Sequence, residues 1–159
     1  MQNNSDEQII ARYDSWKTME MPETVALLPF KKTYTSDEFN LISRGLIPEE
    51  MEDKWFIFMQ DDILYFHRSW EGECIYKVIL EQNSNEYTVK EALVNRDLEQ
   101  YKSGSDRDEI ALLSWLIDVF LLHKRVPFPI PSDVQKDLPP SLYQHHVSGT
   151  GFPEVKRIK

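Results

Sequence analysis

The densest cluster of side chains able to do chemistry is Tyr65-Phe66-His67-Arg68-Ser69-Trp70. A guanidinium beside aromatic rings suits a ligand that carries both an anionic group and a flat ring: Arg bonds phosphate or carboxylate oxygens in pairs, and Tyr or Trp stacks on a base. In that reading Arg68 binds the anion and Tyr65 or Trp70 stacks on the ring, with His67, Lys54 and Arg96 also lining the site. The bland alternative is an Arg68 paired with a carboxylate and a Trp70 that closes the edge of the core. Strand alternation sends His67 to the face of Ile63 and Tyr65, and Arg68 to the face of Leu64 and Phe66.

Other chemistry-bearing residues are more scattered. His145, His146, Ser148, Gly149, Thr150 and Gly151 form a tail whose glycines would let amides approach a phosphate, but neither GxGxxG nor GxxxxGK[ST] spacing is present. No pair of histidines has the i, i+4 separation of a helical ligand pair, and no structural metal or cofactor is expected. Runs such as Glu49-Glu50, Glu52-Asp53 and Asp61-Asp62 read as solvated faces or turns. Asp118 differs, because it lies on a strongly apolar helix, where burial would raise its pKa or demand a hydrogen-bond or ion-pair partner. Cys74, the single cysteine, has no neighbouring base and reads as a small core residue.

These groups must be positioned by elements that the pattern predicts. Ser5 and Gln8 have capping-box spacing, and Ile9, Tyr13 and Trp16 then recur at helical intervals, predicting a first helix to about residue 20. Val25 to Leu28, between Pro22 and Pro29, is a short strand or an ordered loop. Thr35 and Glu38 repeat the capping box, and Gly45 stands where a helix end takes a left-handed residue, so a second short helix spans about 36 to 44. Trp55 to Met59, Ile63 to His67, Cys74 to Leu80 and Tyr87 to Val94 then read as four sequential strands. They are joined by Asp61-Asp62, a turn through Gly72, and Gln82-Asn83-Ser84-Asn85. Short connections make this an antiparallel meander. Ile110, Leu113, Leu116, Ile117, Phe120 and Leu121 outline a long buried helix across one sheet face, ended by Pro127, Pro129 and Pro131. The expectation is a single α+β domain over 1–159: a four-stranded antiparallel meander packed on one long buried helix, with two shorter N-terminal helices and a largely irregular segment 126–159.

Composition narrows the classes of function. A net charge of −9 argues against a duplex nucleic acid binder, whose affinity comes from Lys and Arg on phosphates. The N-terminus lacks the basic start and apolar core of a signal peptide, and Ile110 to Leu122 is shorter than the roughly 20 apolar residues of a membrane span. No membrane association is expected. A lone cysteine suits a reducing, cytoplasmic setting.

Gly45-Leu46-Ile47-Pro48, Glu52-Asp53-Lys54-Trp55-Phe56-Ile57, Leu64 to Trp70 and Cys74-Ile75-Tyr76 together resemble an uncharacterised bacterial and phage domain associated with ADP-ribose-processing neighbours, such as macro domains and ADP-ribosylglycohydrolases. The resemblance covers about residues 34 to 125. Where that pattern has Thr-Gly after Ser-Trp, this chain has Glu71-Gly72, which keeps the turn glycine and adds a negative charge. The resemblance implies an ADP-ribose or NAD-derived nucleotide as ligand, and the charged aromatic cluster adds the residues expected to hold it: Lys54, Tyr65, His67, Arg68, Trp70 and Arg96. Two alternatives stand beside it. One is an enzyme acting on NAD or an ADP-ribosylated substrate, with Glu52, Asp53 or Asp118 as base and His67 as proton donor. The other is an acidic regulatory protein that meets a basic protein partner through its surface.

Overall fold

The computed structural model describes residues 9–50 and 52–129. Its element order is β1 (Val25–Leu28), β2 (Thr33–Thr35), α1 (Ser36–Ile42), β3 (Trp55–Gln60), β4 (Ile63–Arg68), β5 (Cys74–Asn83), β6 (Glu86–Asn95) and α2 (Asp106–Trp115), which runs on into a π-helical stretch, Leu116–Leu121. The strands form one antiparallel sheet in the order β1-β6-β5-β4-β3, with β2 also paired to β6. The mixed α and β architecture is as expected, but the sheet has six strands rather than four. No helix among the described residues is long and apolar enough to cross a membrane.

Turn chemistry explains the hairpins. Asp61 and Asp62 have φ of 56° and 64°, the pair of left-handed residues that matches strand twist in a two-residue hairpin loop, and Asp tolerates that region better than most residues. The β5–β6 loop is only Ser84-Asn85, because Gln82 and Asn83 pair with Tyr87 and Glu86 instead of turning. Their polarity suits a solvent-exposed strand end, so it did not mark the boundary.

The additional strands come from the 25–35 segment. β1 pairs with Ala92–Asn95 and β2 with Glu86–Thr88, so the two form one edge strand broken at Pro29. Proline lacks an amide donor and is confined to such edges. Phe30 N instead donates to Leu28 O, and the ladder resumes where Val89 N donates to Lys32 O.

α1 begins with the expected capping box, Thr35 Oγ1 accepting from Glu38 N and Glu38 Oε1 from Thr35 N. Gly45 ends the segment at φ 69°, and Leu46 and Ile57 then exchange both backbone hydrogen bonds. A Cβ on Gly45 would lie 2.2 Å from Ile57 O, which explains glycine there.

The first expected helix is a correction. Residues 9–20 contain one turn, Ser15 N to Arg12 O, and are otherwise irregular; Ser5 and Gln8 lie outside the described residues. Ile9 and Tyr13 are exposed, while Trp16 packs on Phe56 and Phe58. The segment's amides bond outward, Ala11 N to Arg44 O and Met19 N to Gly72 O, in place of an i to i−4 ladder. Tertiary partners outcompete local propensity here.

The sheet therefore has two covered faces. On one, Ile57, Leu64, Phe66, Tyr76, Val78 and Val94 bury themselves against Leu113, Leu116 and Ile117. On the other, Phe56 and Phe58 are covered by Ala11 and Trp16 of the N-terminal segment. The buried helix is shorter in α-geometry than expected, since Leu122 N reaches back five residues to Ile117 O. Residues 126–129 are irregular and held by Trp115, whose Nε1 donates to Val126 O at 3.0 Å. The rest of the C-terminal segment, with His145 and His146, lies outside the described residues.

Candidate functional site

β3 and β4 run antiparallel with Trp55 opposite Arg68, so the two side chains share the helix-covered face at one end of the sheet. The Arg68 guanidinium lies over the Trp55 ring, 5.2 Å from its centroid. Beyond β4 the chain turns tightly, with Gly72 N donating to Arg68 O and Arg68 N to Glu73 O. Buried Ser69 ties this turn to the residues before β3: its amide donates to Lys54 O at 2.9 Å and its hydroxyl to Asp53 O at 2.6 Å. Lys54 Nζ stands 4.6 Å from the centroid of the Trp70 ring, and the Lys54 ammonium is within electrostatic reach of Arg68.

The electrostatics at this corner are unbalanced. Burial, and then the Arg68 guanidinium, lower the Lys54 pKa. The ion pairs among the described residues are Arg96–Asp106 and Lys124–Glu38, so neither Lys54 nor Arg68 is neutralised by a carboxylate of that part of the chain. Trp55, 1% exposed, also keeps its indole N–H without an acceptor among the described residues. A buried donor left unpaired is costly and uncommon.

Beneath Arg68 lies a stack of buried aromatic rings. Trp55 stacks on Tyr76 at 6.1 Å and 14°, and Phe66 meets both rings edge-on. The Tyr76 hydroxyl donates to Glu109 Oε1 at 2.5 Å, the Tyr101 hydroxyl donates to the same oxygen at 2.7 Å, and Gly104 N donates to Oε2 at 2.7 Å. Glu109 is 4% exposed, so the three donors replace its hydration. Burial raises the pKa of Tyr76, with Tyr101 and Glu109 adding to it; burial and then Glu109 raise that of Tyr101, and Arg68 opposes the rise.

The remaining candidates lie elsewhere. His67 and Tyr65 occupy the opposite face, as alternation required. Tyr65 stacks on Phe58 at 4.8 Å, with Lys77 5.4 Å from its ring centroid. His67 is 3% exposed, packs on Phe58 and Phe56, and donates from Nδ1 to Gly72 O at 2.8 Å. Burial lowers its pKa, partly offset by that hydrogen bond. Arg96 clamps the loop into α2, donating to Ser103 Oγ and Gly104 O at 2.7 Å and to Asp106 at 2.5 Å. Lys54 is thus brought to Trp70 and within electrostatic reach of Arg68; Tyr65, His67 and Arg96 do not join them.

The acid–base alternatives are also dispersed. Asp118 lies in the helical layer on the face away from His67, and its Oδ1 is buried with no partner among the described residues. Its charge bears on Tyr34, whose hydroxyl is likewise buried and unpaired there. Asp53 is used by its own turn, Oδ2 accepting from Glu49 N and Glu50 N. Cys74 is buried, and burial pushes its thiol up to about 12.

Trp55, Tyr76, Tyr101 and Glu109 were not singled out from the sequence. A signal for Glu109 exists in its spacing: it leads the stripe continued by Leu113, Leu116 and Phe120, so a carboxylate stands on the apolar side of the helix. Compared with protein-family models, curated proteins and solved structures, the chain matches none.

Proposed function

We propose that the Lys54–Arg68–Trp70 corner binds an anionic, ring-bearing ligand of the ADP-ribose or NAD class. The observation that carries this is two cations close enough to act on one another, with no carboxylate among the described residues in ion-pair contact with either. Like charges placed together cost free energy unless an anion spends time between them. Trp70 supplies an aromatic surface at the same place, and 57% of it is exposed, as a stacking residue requires. The resemblance of the 64–70 segment to a domain with ADP-ribose-processing neighbours points to the same ligand class. The chain's charge of −9 makes the corner a local exception, so binding depends on these two side chains rather than on a general positive field.

Thermal-shift titration of the full chain with ADP-ribose and NAD tests the reading. A ligand at 100 times its dissociation constant adds about 2.7 kcal/mol of stability, readily visible as a rise in Tm. The rise is expected in the wild type and lost in Arg68→Ala. Flat curves with both ligands, on a cooperative baseline, overturn the proposal.

A further inference from the structure

Trp70 is 57% exposed, and Lys54 Nζ stands 4.6 Å from the centroid of its ring. The backbone that carries it is held by hydrogen bonds from outside the turn. Trp16 Nε1 donates to Ser69 O at 2.7 Å, Lys17 Nζ to Trp70 O at 2.8 Å, and Met19 N to Gly72 O at 2.8 Å. His67 Nδ1 donates to that same Gly72 carbonyl, also at 2.8 Å. Three residues of the N-terminal segment and one strand residue therefore converge on the carbonyls of 69, 70 and 72. Contact is close as well: a Cβ on Gly72, whose φ is 89°, would come within 3.2 Å of Lys17 O and Thr18 Cα.

We infer that His67 and the Trp16–Met19 segment are positioning elements of the Lys54–Arg68–Trp70 site, holding the Trp70 ring against Lys54. The inference deepens the proposed binding function and rests on it for its meaning. β4 thereby serves the site from both faces. Arg68 points to the ligand corner, while its neighbour His67, on the far face, ties down the turn that follows. Ser69 closes the arrangement from the other side through Lys54 O and Asp53 O.

Two measurements on the full chain test this. The first needs no ligand: an aromatic ring shifts the NMR signals of a methylene held against its face, so the Lys54 ε-methylene is displaced in the wild type and released in Trp70→Ala. Trp16→Phe, which keeps an aromatic side chain but removes the N–H, and His67→Leu are expected to release it in part. His67→Asn, which restores a donor near the Nδ1 position, is expected to recover it. The second is calorimetric titration with ADP-ribose, where Trp16→Phe and His67→Leu weaken binding about fivefold or more and His67→Asn recovers it. A merely structural role lowers Tm in these variants but leaves the methylene signal and the affinity of the folded protein unchanged, and that result overturns the inference. If the wild type shows the displaced methylene but no affinity for ADP-ribose, the binding function falls while the NMR series still decides the positioning. Trp16→Phe keeps the test decisive should His67→Leu fail to fold.

Discussion

Replacing Tyr76 with Phe removes a single hydroxyl from the support beneath Arg68 and leaves the ring that stacks on Trp55 in place. The lost bond, 2.5 Å to Glu109 Oε1, joins a side chain at 0% exposure to one at 4%. Hydrogen bonds to charged groups contribute about 1.5–3 kcal/mol. Glu109 keeps Tyr101 on the same oxygen and Gly104 N on the other, so the carboxylate is weakened rather than stranded, and the lower half of that range is expected. For a domain of this length each kcal/mol moves Tm by roughly 2–4 °C, giving a drop of about 3–9 °C. Tyr101→Phe should cost a similar amount. The double variant should exceed the sum, because Oε1 then has no donor in a buried setting. Urea denaturation of the four proteins supplies the cycle. An alkaline arm adds a sign: burial holds the Tyr76 proton above the ordinary value of 10.0, so its stabilisation is complete below pH 10 and is lost as pH rises toward the folded value. Tyr76→Phe should therefore flatten the decline above pH 10. A Tyr76→Phe midpoint equal to wild type, with an unflattened alkaline limb, refutes the view that Glu109 is held by these hydroxyls.

Two further outcomes follow from the same geometry. Gly45→Ala places a side chain on a left-handed backbone and drives its Cβ to 2.2 Å from Ile57 O, so it should cost more than the roughly 1–3 kcal/mol of such strain alone, read as a fall in the denaturant midpoint. His67 has a folded pKa below 6.5, so the unfolded chain binds more protons there and stability falls as pH drops below about 6.5; His67→Asn should remove that part of the slope in a pH series of Tm.

Features carried by contiguous residues are legible in the amino-acid sequence. The Thr35–Glu38 capping box, the left-handed Gly45, the Asp61-Asp62 turn and the opposed faces of His67 and Arg68 each follow from rules spanning only a few positions. The site is legible in part for the same reason: Arg68 and Trp70 are two residues apart, and Lys54 enters through ordinary antiparallel pairing with the end of β4.

What only the tertiary structure decided is where short or ambiguous segments find their partners. β1 and β2 are four and three residues long, too short for any pattern to distinguish strand from loop, and become strands because β6 offers its ladder. Residues 9–20 have helical spacing, yet Arg44 and Gly72 offer carbonyls to their amides, and the face of Phe56 and Phe58 takes up Trp16. His67 has the character of a ligand group until the fold closes Gly72 onto it, and Glu109 that of an ordinary helix-start acid until two tyrosines meet it. Sequence alone determined the local geometry of turns, caps and faces, because their energetics are settled within a few residues. The choice of hydrogen-bond partner for a buried polar group is made across the sheet, between residues that no local spacing connects.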